Sequence, residues 1–80
     1  MRRLRLYHRQ DCHLCEEMLE RLAPYQNSGH LSLELIDIDH RAEAWSAYRT
    51  RIPVLESPEG ECLSEHFLDE DALLSYLEGG

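Results

Sequence analysis

The sequence predicts an α/β fold with four strands in one mixed sheet, in the order strand, helix, strand, helix, strand, strand, helix. Two strand-like apolar runs, Arg3-Leu4-Arg5-Leu6-Tyr7-His8 and Leu31 to Ile38, are each followed by apolar residues at helical spacing. Near the end, the turn-forming stretch Ser57-Pro58-Glu59-Gly60 divides two further short runs. A helix joins the first two strands, which makes them parallel, and the last two form an antiparallel hairpin.

The first strand is read from its period-two alternation over residues 3–8. Asp11 or Cys12 can cap the helix that follows, where Leu14, Met18, Leu19 and Leu22 form one apolar stripe and Glu16, Glu17 and Glu20 lie off it. Pro24 is expected to end or bend that helix, because proline lacks the N–H the ladder needs. Asn27-Ser28-Gly29 reads as a loop. In the run from Leu31 to Ile38 the apolar phase slips between Leu35 and Ile36, which predicts a central strand covered on both faces. Asp39 or His40 opens a short helix with Ala42, Trp45 and Tyr48 as packing residues, ending near Arg51 because the residue before Pro53 is pushed out of helical geometry. Val54-Leu55-Glu56 and Glu61 to His66 form the hairpin, with Cys62 expected as a small buried residue. Asp69 caps the last helix, Leu68 staples onto Leu73, and Leu73, Leu74 and Leu77 are its expected buried stripe before Gly79-Gly80.

With 80 residues, the chain is expected to be a single domain over 1–80, and it carries a formal charge of −8. Residues 1–54 hold eight Arg and eight acids, whereas residues 55–80 hold eight acids and no basic residue. This balance lacks the basic face that nucleic acid requires. The basic start has no continuous apolar stretch behind it, and no run is long enough for a bilayer, so neither a secretory signal nor a membrane partner is expected. Three cysteines do not make a disulfide framework. The expected setting is a reducing cytoplasm, where a Cys-x-x-Cys is redox or metal chemistry rather than bracing.

The chemistry is concentrated in Asp11-Cys12-His13-Leu14-Cys15, at the corner between the first strand and first helix. A thiol at a helix N-terminus feels the positive end of the dipole and nearby unpaired N–H groups, which favour thiolate. Cys15, one turn on, is within reach to close a disulfide. His13, when protonated, can stabilise a Cys12 thiolate. His8, His30, His40 and His66 show no ligand spacing, and no metal site is read. A proline opening a buried strand marks a special turn, which singles out Pro53.

At these residues the chain resembles the thioredoxin superfamily, and within it the glutaredoxin-like group of small bacterial proteins. The resemblance rests on Tyr7-x-x-x-x-Cys12-x-x-Cys15, on Arg51-Ile52-Pro53-Val54 and on the terminal hairpin and helix, and it covers essentially the whole chain. It implies a thioredoxin-like fold with helices on both faces of the sheet. It also implies a cis Pro53 beside the cysteines, with the main chain of Ile52 free to pair with an extended substrate. By position, Cys12 is the nucleophile and Cys15 the resolving thiol. Arg9 stands three residues before Cys12, where the family places a basic residue that binds a glutathione carboxylate or lowers the Cys12 pKa, and Arg51 stands where a second such contact can arise. The sequence departs from the family at His13-Leu14, where Pro-Tyr or Gly-Pro is usual, and at His66-Phe67-Leu68-Asp69. There a Gly-Gly-Asp type of motif is missing and Asp69 alone is equivalent.

The expected function is thiol–disulfide exchange with a disulfide-containing protein or glutathione mixed disulfide. Glutathione is a candidate co-substrate, no cofactor is bound and the chain acts as a monomer. The alternatives are a Cu(I)-binding carrier, since copper-chaperone domains also place Cys-x-x-Cys between a first strand and a helix, and a thioredoxin-like binding module without turnover.

Overall fold

Residues 2–79 are described by the computed structural model. Strands β1 (Arg2–His8), β2 (Leu31–Asp37), β3 (Val54–Glu56) and β4 (Cys62–Glu65) form one sheet in the order β2-β1-β3-β4. Helices are α1 (His13–Asn27), α2 (Ala42–Tyr48) and α3 (Glu70–Gly79). β1 pairs parallel with β2 and antiparallel with β3, and β3 pairs antiparallel with β4.

Alternation along β1 divides the molecule. Leu4 and Leu6 are fully buried and join Met18 and Leu22 of α1, Leu31, Leu55, Leu63, and Leu73 and Tyr76 of α3 in the core cluster. On the other face, Tyr7 stacks on Tyr48 of α2, with ring centroids 4.2 Å apart. Helices α1 and α3 thus cover one face and α2 the other. The fold is thioredoxin-like.

The hairpin turn is closed by Ser57, which is fully buried. Its N–H donates to Glu61 O (2.9 Å), its Oγ accepts the Glu61 N–H (3.0 Å), and its carbonyl accepts from Gly60 N–H (2.9 Å). Gly60 sits at φ +90°, a conformation that side chains disfavour. At α3, Asp69 Oδ1 accepts the Ala72 N–H at 3.1 Å, a side-chain N-cap, and Leu68 packs against the cluster that contains Leu73. Gly80, the second half of the expected glycine stop, lies outside the described residues.

Of the two outcomes expected at Pro24, an end is excluded, because α1 runs on to Asn27; Pro24 and Glu20, whose carbonyl loses an N–H partner, are both exposed, so water can replace that bond. Four local expectations are corrected. β2 is an edge strand rather than a central one, and its phase slip leaves Leu35 51% exposed between the core residue Leu31 and the out-of-phase buried pair Ile36 and Ile38. The break in alternation leads into the 3₁₀ turn Ile38–His40, which the Asp37 carboxylate caps by accepting the Asp39 N–H at 2.9 Å. The second helix therefore starts later, at Ala42. It buries Ala44 instead of Ala42 and Trp45, because three-residue spacing drifts about 60° per step around a helix. In α3 the buried residues are Leu73 and Tyr76, while Leu74 is 40% exposed; spacings of three and four share a face and a spacing of one does not. Cys62 is exposed, at an outward position of the last strand.

Burial separates the two kinds of leucine in this sheet. Leu6→Ala is expected to lower unfolding stability by about 2–5 kcal/mol, and Leu35→Ala by no more than about 0.5 kcal/mol. Urea unfolding of the two variants at one pH checks the contrast.

Candidate active site

Between β1 and α1 the chain turns through Asp11, whose φ of +56° is a left-handed conformation that aspartate tolerates better than most residues. The turn leaves Cys12 extended (φ −108°, ψ 107°) as the N-cap of α1. Its Sγ accepts the Cys15 N–H at 3.2 Å, so sulfur takes the capping role usually given to oxygen. Cys12 and Cys15 are joined as a disulfide with their Cα atoms 5.2 Å apart. Cys12 is half-buried, whereas Cys15 is 2% exposed. The accessible sulfur is the one at the helix terminus.

The Ile52–Pro53 peptide is cis. Continuing the β1–β3 register by one residue beyond Tyr7↔Val54 sets Pro53 beside His8, at the end of β1 that leads to Cys12. Pro53 is fully buried and Ile52 half-buried. The Ile52 main chain is not wholly free, since its N–H donates to Tyr48 O at 3.0 Å. The reason is the helix end: Arg51 and Ile52 N–H groups both return to the last carbonyl of α2.

The charged candidates are engaged within the chain. Arg9 Nε lies 3.4 Å from Asp39 Oδ2. Arg51 donates through Nε (2.9 Å) and a terminal nitrogen (2.6 Å) to the same Glu65 oxygen, and its guanidinium lies 5.1 Å from the centre of the Tyr48 ring. These bonds hold Arg51 above its ordinary pKa and Glu65 below the usual carboxylate range. His13 is highly exposed, 3.6 Å from Glu17, and pairs with it when protonated. Asp69 caps α3, and its own N–H donates to Ser64 Oγ at 2.8 Å. Cys62, although exposed as a residue, lies near Glu65; partial desolvation of its sulfur and the Glu65 charge push the thiol up, which disfavours the nucleophilic thiolate.

A polar cluster escaped the sequence reading. Glu56, 7% exposed, accepts from Tyr48 Oη (2.7 Å) and Tyr7 Oη (3.2 Å) and lies 3.5 Å from Arg5. Arg5 also donates to the Ser57 and Pro58 carbonyls. The hydrogen bond to Glu56, then burial, push Tyr48 up to about 12; burial and the Glu56 charge also raise Tyr7. The alternation of β1 places Tyr7 and Arg5 on one face, but only cross-strand register brings Glu56 to them. The cluster ties α2 to the sheet under the segment that leads into Pro53.

No helix among the described residues is long and apolar enough to cross a membrane, and no three of their His, Cys, Asp and Glu side chains converge as a metal-ligand group. The model of the glutaredoxin-like domain (DUF836) matches residues 3–78. The chain belongs to this family. The glutaredoxin-like chain is also similar to solved structures. A solution structure of protein Ne2328 from Nitrosomonas europaea is 39% identical, with a TM-score of 0.82 over 94% of this chain and 89% of that one. The X-ray structure of protein XcR50 from X. campestris is 36% identical, with a TM-score of 0.75 over 96% of this chain and 97% of that one. The solution structure of XcR50 gives 36% and 0.73 over 100% and 96%. No protein of curated function matches.

The tyrosine shifts carry a pH dependence. Tyr48 ionises near 10 when unfolded and near 12 when folded, so its contribution is fully present below pH 10 and is lost as pH rises through about 12. Tyr48→Phe is expected to flatten this alkaline loss and to remove about 1–3 kcal/mol at neutral pH, as for a hydrogen bond to a charged group. Unfolding curves across pH 8 to 12, with ultraviolet titration of the phenols, check both.

Proposed function

We propose that this chain is a dithiol thiol–disulfide oxidoreductase, with Cys12 as nucleophile and Cys15 as resolving thiol. The observation that carries the reading is the asymmetry of the pair: Cys12 caps α1 and is accessible, while Cys15 lies behind it in the first turn and is buried. In the reduced form, the same N–H that reaches Cys12 Sγ can stabilise a thiolate, aided by the helix dipole.

The Cys12 thiolate attacks one sulfur of a substrate disulfide, forming a mixed disulfide and releasing the other sulfur as a thiolate, which takes a proton from water. Cys15 loses its proton and attacks the Cys12 sulfur. The second substrate thiol leaves, and Cys12–Cys15 closes as the disulfide. Two electrons pass to the substrate, and a thiol such as glutathione or a reduced dithiol protein returns them. The reading sets this cycle in a reducing cytoplasm, with a protein disulfide or glutathione mixed disulfide as substrate. Ile52, beside Pro53, supplies a main-chain carbonyl for an extended substrate. Arg9, Arg51 and Asp69 support glutathione binding only by exchanging their internal partners, so dithiol exchange stands ahead of glutathione capture.

Cys12→Ser is expected to abolish reduction of a model disulfide, and Cys15→Ser to trap mixed disulfides visible by mass analysis. A Cys12 pKa below the free value of about 8.5 is expected from thiolate absorbance. A value at or above it, with no reduction of any model disulfide, overturns the reading.

A further inference from the structure

The segment between β4 and α3 presents the most exposed large apolar side chain in the described structure, Phe67 at 68% exposure. Single exposed hydrophobes are ordinary, and Leu35, Trp45 and Leu74 are others. Phe67 differs in how it is held. The His66 N–H donates to Pro53 O at 2.9 Å, fastening the segment to the residue that leads into β3, on the β4 edge and opposite the edge that pairs with β1. His66 adopts a left-handed φ of +65°, and the Phe67 N–H returns to Glu65 O at 2.6 Å. The Asp69 N–H is taken by the buried Ser64 Oγ at 2.8 Å. Three of the four residues 66–69 are thus held by hydrogen bonds, and the fourth, Leu68, packs against the core, around a phenyl ring that the core does not use.

A pre-ordered apolar group loses little entropy on binding and gains when its surface leaves water. The two arginines that the family resemblance offers to glutathione are occupied: Arg51 by Glu65 and Arg9 by Asp39. The chain as a whole carries a formal charge of −8. An anionic tripeptide disulfide meets a field of the wrong sign, whereas a neutral or basic polypeptide does not.

Resting on the oxidoreductase reading, we propose that Phe67 is a specificity-determining contact that selects polypeptide disulfides carrying an apolar residue next to the half-cystine. The substrate segment lies along Ile52 and Pro53 while its apolar side chain covers the Phe67 ring. Disulfide exchange then proceeds at Cys12 as written above.

The test compares three substrates in steady state with a recycling dithiol present: a peptide disulfide with leucine beside the cysteine, the same peptide with serine there, and glutathione disulfide. The intact protein is expected to prefer the leucine peptide, mainly through KM. Phe67→Ala is expected to lower kcat/KM for the leucine peptide about tenfold more than for the serine peptide, the scale on which hydrophobic contacts discriminate. Phe67→Leu should restore most of the loss, and Leu35→Ala, remote on the opposite edge strand, should not separate the substrates. Thiolate absorbance of Cys12 is expected to be the same in the Phe67 variants. Equal losses on the two peptides, or a shifted Cys12 pKa that explains the loss, overturn the contact while leaving the oxidoreductase reading intact. An intact protein that reduces none of the three overturns both.

Discussion

The antiparallel pairing of β1 with β3 sets both the sheet order and the position of the proline segment. It places β1 in the middle of the sheet, with a parallel partner on its other side. It also brings the proline-led strand against the end of β1 that runs into the Cys12 corner. Residues separated by about forty positions are thereby brought to the same end of the sheet. The apolar half of the same pairing, Leu4 and Leu6 with Leu55, is fully buried. A register slip by one residue would turn those side chains to the wrong face, so core burial and site assembly enforce the same alignment.

The polar interactions reinforce that alignment from the opposite face. Glu56 is buried but has two phenolic donors and a nearby guanidinium, which meets the demand that a buried carboxylate be partnered. Tyr48 connects this cluster to the proline segment twice, through its carbonyl to the Ile52 N–H and through its ring to Arg51. Arg51 in turn holds Glu65 on β4. The linkage runs from β3 through α2 to β4. Charges that would read as ligand contacts in isolation are part of this frame.

Much of the fold was legible in particular residues. Alternation at Arg3 to His8, the stripe of Met18, Leu19 and Leu22, the turn at Ser57 to Gly60 and the cap at Asp69 are local signals, and local hydrogen bonds and burial realise them. The cysteine corner was legible for the same reason: strand end, cap and first turn are contiguous. Leu35, Trp45, Leu74 and Cys62 were misread because exposure depends on which neighbours the sheet order supplies. Pro24 left two outcomes open because the effect of a missing N–H depends on whether water can reach the orphaned carbonyl.

Element order, family resemblance and the location of the two sulfurs rest on short-range spacing and can be read along the chain. The packed fold, in contrast, decided that Cys12 is accessible and Cys15 is not. It also decided that Arg9, Arg51 and Asp69 already have partners, that Glu56 joins Tyr7 and Tyr48, and that Phe67 stands exposed on a fastened segment. Burial and ion pairing are properties of groups brought together across the sheet. No periodicity within a single segment encodes them.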